Sequence, residues 1–424
     1  MSSVLFLSLV GPPDGVSTAR LVGGLAAGLA ERGHTVRILT TAPHYNRDVA
    51  AEARQPIAWG ALGLVGRSRF DGVEVVHVAM PRKGRVVALR LMAWIWFHMV
   101  STLIGLLVLP RHDVIIAPSP PLTIGISAWL LAGLRRSSFV YNVQEVYPDI
   151  AVQLGALRNP ALIRALGWLE RFVYARSDMV TVISPGIAGN LRAKGVPASK
   201  LVEIPNFVDP IELAPAGAPN PFAAAHGLNG QFVVTYAGNI GRPQRLDVRV
   251  EAAEMLRRED GLKFVIVGEG SAKTEIESMV GGRRLANVLV LPYQPYETMP
   301  QVYGATSVSV VLQSSGTGTT AIPSKAIQII GAGQPILAVT DADSDLAHLV
   351  RRCRSGLVVQ PGHPEILAAA LREMRAGYEG WLERAVVARA MILEAFSKVA
   401  VVGAYHKLVS LLAQGAVGRP SGGI

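Results

Sequence analysis

Residues 4–10 form an unbroken apolar run that stops at Gly11-Pro12-Pro13-Asp14-Gly15. From residue 18 to residue 32 apolar positions recur at helical spacing, closed by Gly33-His34, and residues 36–40 are again strand-like. Strand, glycine-bearing loop, helix and strand compose a βαβ unit of a parallel sheet. Residues 73–78, 114–117, 139–143 and 179–183 add buried strands, separated by helical stretches such as 160–175. This half predicts one doubly wound domain.

The pattern breaks at residues 206–221 (NFVDPIELAPAGAPNP), whose Pro, Ala, Gly and Asn are linker composition. It restarts with a strand at 232–237, a glycine-bearing loop at 238–241, a helix at 246–258 and a strand at 264–267. Strands at 288–291, 308–312 and 336–339 continue it, and residues 364 to about 414 are helical. The expected architecture is α/β, two Rossmann-like doubly wound domains facing a central cleft. The boundaries predicted are 1–210, 211–390, and a closing helix and tail over 391–424 that packs back toward the first domain.

A length of 424 residues with half of them hydrophobic and 17% charged suits two well-filled cores. The 41 basic and 31 acidic residues leave a formal charge of +10, which favours anionic partners such as nucleotide phosphates or lipid headgroups. No RNP-type aromatic run, zinc-finger spacing or basic helix-turn-helix stretch occurs, so no nucleic-acid partner is expected. The single cysteine, Cys353, rules out an internal disulfide and a multi-cysteine metal site. The histidines His44, His77, His98, His112 and His348 lack metal-ligand spacing, so no metal or other cofactor is expected.

Residues 86–109 (VVALRLMAWIWFHMVSTLIGLLVL) stand apart, with Arg90 and His98 as their only ionisable side chains. Arg82, Lys83 and Arg85 precede them and Arg111 follows. Their length allows a bilayer span, but a span would separate the first strands from the rest of their sheet. A helix or hairpin lying in one leaflet is the favoured reading, ahead of a buried core helix and a true span. This makes 82–111 a membrane-associating segment and an anionic membrane surface an expected partner.

Chemistry is expected where strands end and helices begin. In the first half, Gly15 opens a helix with a loop suited to an anion or a sugar hydroxyl. The second half carries more. Gly238-Asn239-Ile240-Gly241-Arg242 follows one strand, Gly268-Glu269-Gly270 follows another, and Gly316-Thr317-Gly318-Thr319-Thr320 leads into Pro323-Ser324-Lys325. Arg242 and Lys325 each stand beside a glycine-rich loop at a helix start, an arrangement that can neutralise a diphosphate leaving group. Asp341-Ala342-Asp343 imitates a metal-binding DxD, but it precedes a predicted helix, and capping by Asp343 or Ser344 is the expected role.

Taken together these motifs resemble family 4 glycosyltransferases. The resemblance rests on Gly15 with residues 29–36 (LAERGHTV), 204–209 (IPNFVD), 236–242 (YAGNIGR), Phe264 to Gly270, Pro323-Ser324-Lys325 with Gly333-Gln334-Pro335, and 355–359 (SGLVV). Residues 141–149 (YNVQEVYPD) with Leu154-Gly155 are similar to the WbuB-type subgroup associated with colanic-acid, O-antigen and capsule sugars. The resemblance implies a GT-B fold and retaining transfer from a nucleoside diphosphate sugar, UDP-linked in expectation, to a lipid-linked saccharide at the cytoplasmic face of a membrane. It implies catalytic roles for Arg242, Lys325 and Glu145, and donor contacts from Gly238, Asn239, Glu269, Tyr293, Thr320 and Gln328. Gly15 would form the acceptor or phosphate loop.

Three positions depart from the family. Thr320 and Gln328 occupy places where paired glutamates are common, and Gln144 stands at the place of an N-domain histidine. A glutamine carbonyl still accepts ribose hydroxyls, without charge. The alternatives left open are a GT-B nucleotide-sugar epimerase and a catalytically weak membrane scaffold of a polysaccharide assembly complex.

Overall fold

A computed structural model describes residues 1–44, 49–80, 87–208, 217 and 219–417. Arg82, Lys83 and Arg85 lie outside these described residues. The chain divides into two compact units, one made of residues 1–152, 157–207 and 398–424, the other of 153–156 and 208–397.

The first unit holds strands β1 (Ser3–Leu7), β2 (Thr35–Thr41), β3 (Ala58–Trp59), β4 (Val65–Phe70), β5 (Val73–Val78), β6 (Val114–Ser119), β7 (Ser138–Val143), β8 (Met179–Val182) and β9 (Leu201–Glu203). They form one sheet in the order β3-β4-β5-β2-β1-β6-β7-β8-β9, parallel from β5 to β9. Helices cover both faces, so β1, β6 and β7 read as continuous apolar runs. The short β3 and β4 extend one edge antiparallel, where alternating Val, Gly, Arg and Ser residues leave one face open to water. Glu74 of β5 ties this edge down, bridging Arg37 of β2 at 2.7 Å and Arg67 of β4 at 3.1 Å.

The returning helix Lys398–Val417 packs on helix Ser17–Glu31. Gly28 permits this: a Cβ there would stand 2.6 Å from Val402 Cγ2. Val401, Val402, Tyr405, Leu408 and Val409 of the returning helix join the core around Phe6, Leu29 and Ile38. Helix Val87–Leu107 packs on helix Ile124–Arg135 and on strands β2 and β5. It buries Phe97, Ser101 and Ile104 but exposes Met92, Ile95, Met99 and Leu103. Of the apolar stretch, Val87–Leu107 make one helix with a buried and an open stripe, and no helix among the described residues is long and apolar enough to cross a membrane.

The second unit holds β10 (Phe232–Ala237), β11 (Leu262–Val267), β12 (Val288–Leu291), β13 (Val308–Leu312), β14 (Ile336–Val339) and β15 (Gly356–Val359). All run parallel, in the order β12-β11-β10-β13-β14-β15. The reversal of strand order beside β10 puts the C-terminal ends of β10 and β13 at a switch point of the sheet, where α/β folds bind ligands. One face packs on Ala326, Ile327, Ile330, Leu346 and Ile392, the other on Ala252, Leu256, Leu367 and Leu371.

Candidate active site

Ala237 and Val267 pair in register, so β10 and β11 release their following loops at the same level. The two loops bond to each other through backbone. Gly238 N–H donates to the Val267 carbonyl at 2.9 Å, Ile240 N–H to Glu269 at 2.8 Å, and Ala272 N–H to Ile240 at 2.9 Å. Gly268 and Gly270 have φ of 158° and 157°, and a Cβ on either would overlap the Gly238 or Ile240 carbonyl. These glycines are needed first for loop-on-loop packing.

Lys325, the second residue of helix Ser324–Gly331, reaches into this corner. Its ammonium lies 4.1 Å from the centroid of the Tyr236 ring. Gly238 makes room for it, since a Cβ there would stand 2.8 Å from Lys325 Nζ. The Tyr236 hydroxyl donates to the Asn239 carbonyl at 2.7 Å and so fixes the loop that flanks the lysine. Lys325 is half-buried and pairs with no carboxylate among the described residues. Burial, helped by the Arg249 charge, brings its ammonium down to about 8. Gly238, Asn239 and Lys325 are thus gathered in one corner.

The other expected residues stand differently. Arg242 is exposed and opens a 3₁₀ turn, Arg242–Gln244, with no side-chain partner among the described residues. Glu269 gives its backbone to the loop pair, while its carboxylate pairs with Lys273 at 2.5 Å. Tyr293 is exposed in a loop where Gln294 Nε2 donates to the Pro292 carbonyl at 3.0 Å. Gln328, one turn after Lys325, is half-buried, while its neighbours Ile327 and Ile330 enter the core. Thr320 is fully buried and donates its hydroxyl to Gln153 Oε1 at 2.6 Å.

Gly15 and Glu145 belong to the first unit. Glu145 is half-buried after β7, and burial holds its carboxyl above the usual range. Beside Gly15, Asp14 is buried and accepts from His44 N–H at 3.1 Å. In that loop the close approach belongs to Gly11, where a Cβ would meet Thr40 Oγ1 at 2.9 Å. Asp341 accepts from Ser315 Oγ at 2.7 Å and Gly316 N–H at 2.6 Å, bracing the glycine-rich loop. Ser344 caps helix Asp345–Cys353, accepting from Ala347 N–H at 3.0 Å. Among the described residues no group of three or more His, Cys, Asp or Glu side chains could hold a metal ion.

Two features escaped the sequence reading. Arg249 is 1% exposed in helix Leu246–Met255, beneath Tyr236; a charge amid Leu246, Val248, Val250 and Ala252 was the available signal. In the first unit, an amide row lines an apolar cavity that also touches Phe6, Leu25 and Tyr405. Asn206 Nδ2 donates to Gln144 Oε1 at 2.7 Å, and Gln144 Nε2 to Asn142 Oδ1 at 2.6 Å. Asn142 Nδ2 in turn donates to the Tyr405 hydroxyl at 3.0 Å, a link that needs the folded chain to appear.

Residues 18–206 match the family described as glycosyl transferase 4-like domain, and residues 222–379 match glycosyl transferases group 1. The fold is similar to that of Anabaena Alr3699/HepE, solved in complex with UDP, with a TM-score of 0.71 at 14% identity over 96% of this chain and 100% of that one. The chain is a glycosyltransferase of the GT-B fold. This glycosyltransferase is 26% identical over 373 residues, 85% of its own length and 89% of the relative's, to the "Putative colanic acid biosynthesis glycosyl transferase WcaI" of Escherichia coli (strain K12). It is also similar to WaaG, a glycosyltransferase involved in lipopolysaccharide biosynthesis, with a TM-score of 0.66 at 16% identity over 96% and 99% of the two chains.

Proposed function

We propose that the chain moves a sugar from a UDP-linked donor to a lipid-linked saccharide, with retention of configuration, at the cytoplasmic face of a membrane during cell-surface polysaccharide biosynthesis. The observation that carries this reading is the Lys325 ammonium, held against Gly238 and Tyr236 with no carboxylate among the described residues to neutralise it. Such a group is completed by an anion, and the leaving diphosphate is the anion of this reaction. The UDP complex of the similar HepE structure and the colanic acid relative support the donor class and the pathway class.

In this reading Lys325 and Arg242 stabilise the diphosphate as the bond from sugar C1 to its oxygen breaks. The acceptor oxygen bonds to C1 on the same face, and its proton passes to the leaving phosphate oxygen, so no protein nucleophile is required. Gln328 accepts from the ribose. Glu145 and the Gly15 loop serve the acceptor.

The membrane part of the proposal rests on charge and exposure in the first unit. Helix Val87–Leu107 packs on Ile124–Arg135, which packs on Pro160–Arg176. Outward they show Met92, Ile95, Leu103, Leu134, Leu162 and Trp168. The only carboxylate on the three helices, Glu170, is buried against Lys194 at 2.6 Å, whereas Arg135, Arg164, Arg171 and Arg176 carry positive charge. An apolar face rimmed by cations alone suits an anionic leaflet.

A thermal-shift screen of nucleotide sugars tests the donor, because a ligand stabilises the native state according to its affinity. UDP-linked sugars should raise the melting temperature, and incubation with lipid-linked saccharide should release UDP. A chain that binds no nucleotide sugar would leave the scaffold alternative standing; conversion of the donor to its epimer without acceptor would favour the epimerase.

A further inference from the structure

Arg249 is a buried cation with no counter-ion among the described residues. Its Nη2 donates to the Val234 carbonyl at 2.6 Å and the Val265 carbonyl at 3.2 Å, while Nε and Nη1 find no acceptor. The guanidinium carbon lies 5.9 Å from the Tyr236 ring centroid and 5.8 Å from that of Phe264. Ring faces attract a cation but do not cancel its charge. Burial without a carboxylate is costly for any fold.

The surrounding acids are engaged elsewhere. On the helix that carries Arg249, Asp247 pairs with Arg245 at 2.9 Å, and Glu251 and Glu254 face Arg283 at 3.7 and 2.7 Å. Glu269 and Glu277 are held by Lys273, and Glu259 by Arg372 and Arg375. Arg242 adds another cation in the loop beyond Tyr236. The Lys325 ammonium stands against the same Tyr236 ring.

We propose that Arg249 is a positioning residue for the diphosphate contact: its uncompensated guanidinium, beside the Tyr236 platform, adds to burial in making the charge of Lys325 conditional on the arrival of an anion. The inference rests on the donor reading above. Burial brings Arg249 itself down to about 9, so both cations are held at a disadvantage until a ligand supplies negative charge. For Lys325 the sign is definite. The free protein loses that proton as pH rises through about 8, and an anion bound to the charged form must take a proton up. UDP affinity should therefore fall above pH 8, by about fivefold between pH 8 and pH 9.

Competitive acylation of the full-length protein, read by mass spectrometry, gives the titration of Lys325 without any ligand. The expected midpoint is about 8 in the wild type, and higher in Arg249→Met, with UDP affinity in that variant falling less steeply from pH 8 to pH 9 than in the wild type. A wild-type midpoint in the ordinary lysine range overturns the proposal whether or not the variant folds. So does a folded Arg249→Met whose Lys325 midpoint stays put. A midpoint that moves as expected in a protein that does not bind UDP keeps the coupling and rejects the donor reading.

Discussion

The Lys325 ammonium sits 4.1 Å from the centre of the Tyr236 ring, and the hydroxyl of that ring donates to the Asn239 carbonyl at 2.7 Å. One side chain from the middle of the sheet thus supports both a cation and the loop beside it. Tyr236→Phe keeps the platform and loses one hydrogen bond, so it should cost about 1 kcal/mol of stability and leave UDP affinity nearly unchanged. Tyr236→Leu removes the platform and should weaken UDP binding by roughly tenfold, given a cation–π contact of 1 kcal/mol or more when desolvated. Isothermal titration of both variants checks this; equal affinity in the leucine variant and the wild type would remove Tyr236 from the site.

Gln328 is half-buried one turn along the helix from Lys325. Gln328→Glu should keep or tighten donor binding, because a carboxylate accepts stronger hydrogen bonds from hydroxyls. Gln328→Leu should weaken it. Thermal shift with a UDP-sugar reads both changes, and a leucine variant that responds like the wild type to every donor would end the ribose assignment.

Much of the fold was legible because buried parallel strands are continuous apolar runs: residues 232–237 and 336–339 coincide with β10 and β14. The antiparallel edge was not, because β4 mixes Arg, Ser and Gly and is held by Glu74 from elsewhere in the chain. Glycine-rich loops pointed to the corner holding Gly238 and Lys325, but not to why Gly268 and Gly270 are there, which depends on carbonyls about thirty residues earlier. Arg249 was hidden by its helix, whose charged and apolar residues show almost no segregation by pattern. Only packing reveals that its arginine is buried.

Acid should destabilise the first unit in a specific way. Burial holds His98 and His112 at about 4, against 6.5 in an unfolded chain. Between those values the unfolded chain binds more protons, so stability falls as pH drops from 6.5 toward 4, by roughly 3 kcal/mol for each histidine. His98 accepts or donates toward Thr123 Oγ1 at 2.8 Å, which a glutamine amide can replace. Urea unfolding at pH 7 and pH 4.5 should therefore show a smaller pH effect in His98→Gln than in the wild type. An identical pH effect would assign the acid sensitivity to other groups.

The exposed apolar face makes a prediction that does not depend on the donor. Leu134 and Trp168 are 66% and 63% exposed, so Leu134→Glu with Trp168→Glu should leave the fold intact. The double variant should pellet less with anionic vesicles. Salt should weaken wild-type binding only in part, since cations add about 1 kcal/mol each while the apolar contribution is unscreened. Co-sedimentation with and without salt is the readout; wild-type protein that stays in the supernatant with every lipid would mean the face is not a membrane contact.

The most direct test of the central claim is the transfer rate of Lys325→Ala and Arg242→Ala proteins, measured beside their melting temperatures. Both side chains lack a carboxylate partner among the described residues, so their removal should hardly change folding. If they carry the charge of the leaving diphosphate, turnover from a UDP-sugar should fall by roughly a hundredfold or more, the scale of a preorganised transition-state contact. A Lys325→Ala protein with normal stability and the wild-type transfer rate would contradict the account.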